Sequence, residues 1–437
     1  MTAEEAVKCI KSGDWVDYGF LLTQPIALDI ALAARKEELS DIKIRGLMHL
    51  RPLEVLKCDP HQEVFTYNSW FFSALERKIN SNGGCFFTPM VFRNKPLYYE
   101  RYLDVDVTML TVGPMDKHGY FNLSVNNSAC RAIANKAKIV ILEVNNKMPR
   151  ALGGCNEHIH ISKVDYIVEG PNLDLIFLPP TQPTETDQKI ANFVMQEIVD
   201  GACIQLGIGG MPNLVGSMIV DSDLKELGCH TEMLSDAYYA MHKAGKLTNC
   251  RKNIDKGKSV YAFALGSKEL YEWIDDNPSL ASCSVDYTNS PTVIGKNDNV
   301  ISINNCIEVD LYGQISSESS GTKHISGSGG QLDFVTGAEM SKNGKSIIAF
   351  SSTYKDKSGQ LKSRIVPTLP LGEIVTAPRT QAQFLVTEWG KVNLAGRSTW
   401  ERAELLIDVA HPDFREELIR DAERQGIWRK TNKNRQI

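Results

Sequence analysis

The sequence predicts an α/β fold with largely parallel sheets. Residues 105–112 (VDVTMLTV) and 138–144 (KIVILEV) are short, almost continuously apolar runs. Such runs are typical of strands that are buried on both faces of a parallel sheet. Between them, residues 129–137 have the spacing of a helix. Strands that alternate with helices along the chain are the pattern of α/β proteins.

The N-terminal part of the chain can be divided into elements in order. Residues 3–12 have helical spacing and are followed by Gly13, which predicts a helix end. The predicted elements that follow are a strand at 15–19, a helix at 25–35 and strands at 42–45 and 105–112. A glycine turn is expected directly after the first of these strands.

A change in composition at residues 178–184 (LPPTQPT) predicts a linker, because prolines and threonines cluster there. We therefore expect two domains, residues 1–183 and 184–437. The second domain contains predicted helices at 186–199, 401–409 and 414–425. Residues 204–208 are predicted to form the end of a strand, and further strands are predicted at 259–263, 300–303, 346–350 and 384–387. The order strand, glycine turn, helix occurs at 16–35 and again at 204–219, which hints at two related halves.

Composition excludes several classes of protein. The 437 residues carry a net charge of −5, which argues against nucleic-acid binding. The first residues lack the apolar core of a signal peptide, and no apolar run reaches the length of a membrane span. The ten cysteines form no C-x-x-C pair. We expect a cytoplasmic protein with reduced thiols and no membrane association.

The first candidate site is the glycine turn at residues 205–213 (QLGIGGMPN). Glycines let backbone N–H groups approach a ligand closely, since no Cβ intervenes. Pro212 suits the first turn of a helix, whose apolar face we assign to Leu214, Met218 and Ile219. The turn lacks the third glycine of a dinucleotide fingerprint and the G-K-[ST] of a phosphate-binding P-loop. A tight packing turn remains the alternative interpretation.

Glu232, in the string HTEM, is the candidate catalytic residue. A glutamate is usually a solvated surface residue, but this one has small and apolar neighbours and follows the glycine turn. A carboxylate can attack an activated acyl group and form a covalent intermediate. If the acyl donor is a thioester, the free energy of its hydrolysis would be conserved in a glutamyl thioester on the enzyme. The transfer would therefore need no ATP. His230 is either a base or a structural residue.

Two other motifs are candidate binding sites. Residues 326–331 (SGSGGQ) predict a shaped loop, whose backbone N–H groups can bind an oxyanion. His158 and His160 would lie on one face of a strand and could hold a metal, but no third ligand follows at suitable spacing. We therefore expect no metal site. Residues 115–119 are interpreted as a polar turn.

Longer strings identify a family. The chain resembles the acetyl-CoA hydrolase/transferase family, and within it the branch of butyryl-CoA:acetate CoA-transferases of anaerobic, butyrate-forming bacteria. The strings that carry the resemblance are SGDWVDYG (12–19), VGPMDKHGYFN (112–122), ILEVNNKMPRALGG (141–154), HISKVDYIVEG (160–170), QLGIGGMPN (205–213), HTEM (230–233), INNCIEVDLYGQ (303–314), SGSGGQLDFVTGA (326–338) and RAELLIDVAHPDF (402–414).

The resemblance implies two open α/β domains of the CoA-transferase fold, related to the NagB/RpiA-like fold, and a homodimer or homotetramer. The C-terminal domain would carry the catalytic glutamate, Glu232, which holds CoA as a glutamyl thioester. The remaining residues that the resemblance assigns to CoA binding are Gly207, Ile208, Gly209, Gly210, Met211, Ile307, Gly330 and Lys355. CoA would be a substrate and carrier, with no tightly bound cofactor.

Two segments depart from the family pattern. Relatives often have W-H-M-S-G-I-E-R-K where this chain has WFFSALERK at 70–78, and W-C where it has Phe20 and Leu21. If these segments line the acyl pocket, Phe20, Phe71 and Phe72 would change its length or shape. A hydrophobic pocket distinguishes one methylene by only ~1–3 kcal/mol.

We therefore expect an acyl-CoA:acetate CoA-transferase of short-chain fatty acid metabolism, with butyryl-CoA and acetate as substrates. Open alternatives are 4-hydroxybutyrate or propionate as the acyl group, or hydrolysis of the acyl-CoA, since exclusion of water depends on the closed pocket. A further alternative is a sensor that binds CoA or a nucleotide without catalysis. The partners expected are an acyl-CoA and a short-chain carboxylate.

Overall fold

The computed structural model describes residues 1–177, 182–207 and 209–431. Packing of the backbone divides the chain into two compact units. The first comprises Met1–Pro179, Thr231–Tyr239 and Lys258–Ser290, and the second comprises Pro180–His230, Ala240–Gly257 and Pro291–Ile437. Residues 178–181 of the predicted linker lie outside the described residues, and the predicted domain boundary at 183/184 stays a prediction.

The elements of residues 1–177 alternate between strands and helices. The strands are β1 (Trp15–Tyr18), β2 (Ile42–Gly46), β3 (Phe65–Ser69), β4 (Phe86–Phe87), β5 (Val107–Val112), β6 (Tyr120–Asn122), β7 (Ile139–Val144), β8 (His158–His160) and β9 (Tyr166–Glu169). The helices are α1 (Ala3–Ala6), α2 (Ala27–Ala33), α3 (Glu54–Cys58), α4 (Ala74–Asn80), α5 (Lys95–Arg101) and α6 (Cys130–Lys136).

The elements of residues 182–431 continue this alternation. The strands are β10 (Cys203–Leu206), β11 (Gly228–Leu234), β12 (Ser259–Ala264), β13 (Leu280–Ser282), β14 (Val300–Asn304), β15 (Glu308–Asp310), β16 (Ile315–Ser316), β17 (Ser319–Ser320), β18 (Lys323–His324), β19 (Lys345–Ala349), β20 (Thr353–Lys355), β21 (Leu361–Ser363), β22 (Ile365–Val366), β23 (Phe384–Thr387) and β24 (Gly390–Asn393). The helices are α7 (Glu185–Met195), α8 (Gly210–Asp221), α9 (Asp236–Lys243), α10 (Lys268–Ile274), α11 (Val285–Thr288), α12 (Pro291–Ile294), α13 (Gln331–Met340), α14 (Thr399–Asp408) and α15 (Pro412–Arg424). Across the described parts of the chain, no helix combines the length and apolar composition needed to cross a bilayer.

A parallel sheet with strand order β4-β3-β2-β1-β5-β7-β9 forms the centre of the first unit. Its strand β5 is buried along its whole length. Side chains alternate between the two faces of a strand. Accordingly, Val107 and Met109 belong to one apolar cluster, and Leu110 and Val112 to another. Burial on both faces explains why the sequence of β5 is almost continuously apolar.

The second unit repeats this arrangement. Its parallel strands follow the order β11-β10-β14-β19-β23, and β24 pairs antiparallel at the edge. Strand β10 therefore lies between the next strand in sequence and a later one, as β1 does in the first unit. Strand β11 begins in the second unit and ends in the first, where β12 and β13 also pair in parallel. The repeated order agrees with two related halves.

The predicted α/β fold is confirmed, but two local predictions are wrong and one helix was not predicted. The helix predicted over 3–12 ends at Ala6 and is followed by a 3-10 turn, Val7–Cys9. The carbonyls of Val7 and Ile10 instead accept hydrogen bonds from the Arg35 guanidinium. That long-range contact replaces the hydrogen bonds of a continued helix.

The other two differences concern helices next to glycines. The buried face of α8 is formed by Met211, Val215 and Ile219, whereas Leu214 and Met218 are only partly buried. The spacing of four residues from Met211 sets this face. Residues 332–334, for which the sequence predicted no element, lie inside helix α13. The preceding glycine and serine run masked the helix start.

Candidate active site

Glu232 lies in β11, in the part of that strand that belongs to the first unit, and is partly buried. Its Oε2 accepts a hydrogen bond of 2.6 Å from the side-chain amide of Asn289. Asn289 directly follows α11 and is fully buried. A hydrogen bond to a carboxylate is stronger than one between neutral groups. The amide therefore fixes the orientation of the carboxylate and favours its charged form.

The residue after Glu232 anchors the strand in an aromatic cluster. Met233 is buried with Phe20, Trp70, Phe92 and Phe263. Phe20 packs edge to face against Phe263 and Phe92, with ring centroids 5.5 and 6.2 Å apart. The residue next to Glu232 in β11 is therefore fixed in an apolar, well-packed part of the first unit. This cluster is where Phe20, one of the departures from the family pattern, is placed.

Phe71 and Phe72, the other departures, have different surroundings. Phe72 is buried and packs edge to face on Phe87 at 5.6 Å between centroids, within the core of the first sheet. Phe71 is partly buried and contacts the cluster that contains Phe20 and Met233. Of the three phenylalanines, Phe20 and Phe71 therefore share a cluster with the neighbour of Glu232, as does Leu21.

The glycine turn follows β10 in the second unit. Gly207 donates its N–H to the carbonyl of Ile303 at 2.8 Å, and Gly209 has a φ of +135° at the start of α8. A Cβ added to Gly209 would lie 3.2 Å from Nδ2 of Asn305. The backbone conformation favours glycine there, and a Cβ would also require the Asn305 side chain to shift by a few tenths of an ångström. Gly210 and the buried Met211 begin α8, and Ile208 lies outside the described residues.

A buried polar network, absent from the sequence-based prediction, lies beneath this turn. The amide of Gln205 contacts the amide of Asn304 at 3.1 and 3.3 Å and accepts a hydrogen bond of 2.7 Å from the Ser302 hydroxyl. Ser302 also accepts a hydrogen bond of 2.9 Å from Asn304. Three polar side chains at the ends of two buried strands satisfy one another here, which holds the turn and residue 304 in a fixed arrangement.

The second glycine loop lies close to the first. Gly330 is buried and precedes α13, and the side chain of Gln331 donates to the carbonyl of Asn305 at 2.9 Å. Asn305 therefore connects the two glycine loops. The N–H of Ile307, two residues on, donates to Ser316 at 2.7 Å, and its carbonyl accepts from Arg364 at 2.9 Å. The structure thus brings together the predicted residues Gly209, Gly330 and Ile307 within the second unit.

Lys355 lies at the end of β20, which forms a hairpin with β21. Its side chain is exposed. The guanidinium carbon of Arg364 lies 4.9 Å from the ring centroid of the neighbouring Tyr354. The same guanidinium donates the hydrogen bond to the Ile307 carbonyl. The hairpin is therefore linked to the residue 305–307 segment through Arg364.

Glu308 is a further buried carboxyl group beside this segment. It is 6% exposed, and within the described residues its Oε2 has no hydrogen-bond partner. Burial raises the pKa of Glu308 to about 7, and the negative charge of Glu373 acts in the same direction, against the guanidinium of Arg364. The second unit therefore holds a carboxyl group that titrates near neutral pH.

The three histidines that the sequence offers as a base or as metal ligands have polar or aromatic neighbours. His230 is buried, with its ring 6.4 Å from that of Phe334. His158 contacts the amide of Asn122 at 3.0 Å, and His160 contacts the Ser162 hydroxyl at 2.8 Å. Among residues 1–177, 182–207 and 209–431, no group of three His, Cys, Asp or Glu side chains has an arrangement suited to a metal ion.

Comparisons with known proteins identify the family. Residues 1–179 match the acetyl-CoA hydrolase/transferase N-terminal domain, and residues 266–422 match the acetyl-CoA hydrolase/transferase C-terminal domain. The chain belongs to the acetyl-CoA hydrolase/transferase family. This assignment agrees with the family resemblance of the sequence strings.

Individual relatives match over nearly the whole chain. A butyryl-CoA:acetate CoA-transferase of Anaerostipes caccae is 54% identical over 434 residues, which are 99% of this chain and 97% of the relative. A 4-hydroxybutyrate coenzyme A transferase of Clostridium kluyveri is 40% identical over 423 residues, 96% of each chain. The crystal structure of RipA from Yersinia pestis matches with a TM-score of 0.88 and 38% identity, and covers 98% of this chain and 97% of RipA.

Proposed function

We propose that this protein transfers CoA from butyryl-CoA to acetate, with Glu232 as the covalent carrier. The observation that carries the proposal is the 2.6 Å hydrogen bond that holds the Glu232 carboxylate against the buried amide of Asn289. A nucleophilic carboxylate has to be ionised and oriented, and this contact favours both. The 54% identity to a butyryl-CoA:acetate CoA-transferase over 99% of the chain supports the choice of substrates.

The reaction proceeds in four balanced steps. A Glu232 carboxylate oxygen attacks the thioester carbonyl, the C–S bond breaks, and CoA leaves as a thiolate while a mixed anhydride of Glu232 and butyrate forms. The thiolate then attacks the Glu232 carbonyl carbon, which releases butyrate and leaves a glutamyl thioester. Acetate attacks this thioester and again releases the thiolate. The thiolate finally attacks the acetyl carbonyl, so that acetyl-CoA leaves and the carboxylate of Glu232 is restored.

The second unit supplies the predicted binding groups. We assign CoA binding to Gly207, Gly209, Gly210, Met211 and Ile208, the last outside the described residues. Ile307, Gly330 and Lys355 complete the proposed set. The cluster formed through Asn305 supports a common role for Gly209, Gly330 and Ile307. Backbone N–H groups near Gly330 are suited to an oxyanion, and the exposed ammonium of Lys355 to a phosphate of CoA.

The acyl group is the part of the proposal for which the relatives leave a choice. The 40% identical relative is a 4-hydroxybutyrate coenzyme A transferase. Phe20 belongs to the apolar cluster of Met233, next to Glu232 in sequence. Neighbouring side chains of a strand point to opposite faces, so this cluster does not line the acyl group through Met233. Butyryl is the proposed group because the identity is 54% to the butyryl-CoA:acetate CoA-transferase and 40% to the 4-hydroxybutyrate enzyme.

Mass spectrometry tests the covalent step directly. The protein is mixed with butyryl-CoA without acceptor and digested briefly with trypsin. The tryptic peptide of residues 226–243, which contains Glu232, is then searched for bound CoA. We expect an adduct that acetate removes and that tris(2-carboxyethyl)phosphine, a reductant without a thiol, does not. The second condition separates a thioester on Glu232 from a disulfide on Cys229, which lies in the same peptide.

Two variants of that peptide sharpen the result. Glu232→Gln should abolish both the adduct and turnover, whereas Glu226→Gln, at an exposed glutamate, should keep both. Steady release of free CoA without acceptor would instead indicate hydrolysis. Wild-type turnover in Glu232→Gln would contradict the proposed mechanism. Homo-oligomeric assembly and a cytoplasmic location stay predictions.

A further inference from the structure

Two cysteines that the proposed reaction does not use lie side by side in the first unit. Cys155 is exposed in the loop between β7 and β8, and Cys283 is buried directly after β13. The side-chain amide of Asn156, next to Cys155, donates a hydrogen bond of 3.4 Å to the hydroxyl of Ser284, next to Cys283. The thiol of Cys283 and the backbone N–H of Ser284 both act on the pKa of Cys155 as hydrogen-bond partners. The two cysteines therefore lie on adjoining segments although 128 positions separate them in the numbering.

The backbone on both sides of the two cysteines is tied together. Ser282 donates its N–H to the carbonyl of Leu152 at 2.7 Å. The amide of Asn127 donates to the carbonyls of both Cys155 and Ser282, at 3.2 and 3.1 Å. A Cβ added to Gly153 would lie 2.0 Å from the Ser282 carbonyl oxygen. These contacts hold the two segments that carry the cysteines against each other.

The chemistry of the pair is suited to oxidation. Hydrogen bonds from Cys283 and Ser284 lower the pKa of Cys155 to about 7, against the effects of burial and of the charges of Glu157 and Asp286. The thiolate is the form of cysteine that reacts with oxidants, and reactivity also requires exposure. Cys155 meets both conditions at neutral pH. Cys283, buried against it, is placed to resolve the oxidised product.

We propose that Cys155 and Cys283 form a reversible disulfide that switches the enzyme off under oxidising conditions. Hydrogen peroxide is the oxidant: the Cys155 thiolate attacks one peroxide oxygen, the O–O bond breaks, and hydroxide leaves. The Cys283 sulfur then attacks the sulfenic acid of Cys155, the S–O bond breaks, and water leaves as the disulfide forms. A dithiol reductant reverses the process.

The connection to catalysis runs through a short helix. Cys283 is followed by Ser284, which begins α11, and Asn289 directly follows the same helix. Asn289 is the residue that holds Glu232. A disulfide requires an S–S distance of about 2.05 Å, shorter than any hydrogen-bonded contact between thiols. Drawing Cys283 toward Cys155 therefore displaces the start of α11 and, through it, the amide on Glu232.

Peptide mapping tests the disulfide on the whole protein. Trypsin places Cys155 in a peptide of residues 151–163 and Cys283 in one of residues 269–296, with no other cysteine in either. After treatment with hydrogen peroxide and alkylation, we expect these two peptides to be joined, with the loss of two hydrogens. A mixed disulfide of Cys155 with CoA, or a link between other cysteines, would overturn the proposal.

Activity measurements test the switch, and this readout rests on the proposed function whereas the peptide map does not. We expect kcat to fall about tenfold in the oxidised protein, as for a weakened hydrogen bond to a charged group, and to return with dithiothreitol. Cys155→Ser and Cys283→Ala should resist peroxide, whereas Cys250→Ser, at another exposed cysteine, should respond like the wild type. Equal loss in Cys155→Ser, or a disulfide without loss of activity, would overturn the switch.

Discussion

The contact between Asn289 and Glu232 is the residue-level feature on which the proposed catalysis depends. Asn289→Ala removes the donor but leaves Glu232 in place. A hydrogen bond to a charged group contributes about 1.5–3 kcal/mol. We therefore expect kcat to fall by roughly ten- to a hundredfold, measured with butyryl-CoA and acetate. The loss should be small in KM for acetate if the amide acts by orienting the nucleophile.

Asn277→Ala is a matched control for this prediction. Asn277 is another asparagine of the first unit, partly buried, and its side chain forms hydrogen bonds with the backbone of Trp273 and Ser279. This variant should show some loss of stability with unchanged kcat. Equal effects of the two substitutions on kcat would mean that Asn289 acts only through the stability of the fold.

The buried carboxyl of Glu308 makes a prediction about pH. Its pKa is raised to about 7, so the folded protein keeps a proton that the unfolded chain releases near its ordinary value of 4.5. The folded state thus binds more protons between these two pH values, and its stability relative to the unfolded state falls as pH rises through this window. Above it, the ionised carboxylate remains buried at a cost.

Glu308→Gln removes that ionisation. The free energy of unfolding of the variant minus that of the wild type should increase by on the order of 2 kcal/mol when the pH is raised from 5 to 8. Urea unfolding at the two pH values measures the change, and Glu339→Gln, at an exposed glutamate of α13, should show none. A constant difference between Glu308→Gln and the wild type would contradict a titration at this site.

At this scale the sequence singled out Glu232, the proposed nucleophile, but not its surroundings. Glu232 stands in a short string whose family assignment is specific. Asn289 lies 57 positions away and reaches Glu232 only through tertiary packing. The same holds for Cys155 and Cys283, and for Glu308 and Arg364. No local spacing or periodicity connects such pairs, so only the folded chain reveals them.

At the level of elements, the turn between β10 and α8 depends on one glycine. Gly209 has a φ of +135° and lies close to Asn305, which links the two glycine loops. Gly209→Ala introduces both backbone strain and a contact at 3.2 Å, so we expect a loss of about 1–3 kcal/mol in stability. Because the turn would shift, KM for butyryl-CoA should also rise several-fold.

Gly257→Ala separates these two effects. Gly257 also has a positive φ, of +75°, but a Cβ there would meet no atom within 4 Å. This variant should lose stability without a change in KM. Thermal unfolding and initial-rate kinetics on both variants make the comparison. An unchanged KM in Gly209→Ala would argue against a role of the turn in binding CoA.

The accuracy of the predicted elements follows their dependence on local signals. Strand β23 has the predicted bounds, because a short apolar run within a buried sheet needs no further information. Helix α1 ends early because Arg35, distant in sequence, takes the carbonyls of Val7 and Ile10. Helix α13 was missed because its N-terminal glycines, which predict a loop, continue directly into the first turn.

At the scale of the whole chain, strand order repeats between the two sheets although the sequence shows no clear repeat. Strands β1 and β10 each lie between the next strand and a later one. The first unit also takes in residues 231–239 and 258–290, far from its N-terminal segment. A linker signal marks only where the chain is extended, so it does not reveal which segments pack together.

Ligand binding gives a prediction for the stability of the whole molecule. A ligand that binds only the folded state stabilises it by RT ln(1 + [L]/Kd), which is about 2.7 kcal/mol at a hundredfold excess over Kd. Glu232→Gln cannot form the covalent thioester but keeps the proposed CoA-binding loops. Butyryl-CoA should therefore raise the melting temperature of Glu232→Gln by a few degrees, as measured by calorimetry.

The same measurement on Gly209→Ala separates binding from covalent capture. If the glycine turn binds CoA, this variant should need several-fold more butyryl-CoA for the same rise. The rise should also persist with free CoA in Glu232→Gln, because the proposed contacts are made to the CoA part. A rise in the wild type alone would mean that stabilisation comes from the glutamyl thioester, and the assignment of CoA binding to these loops would be wrong.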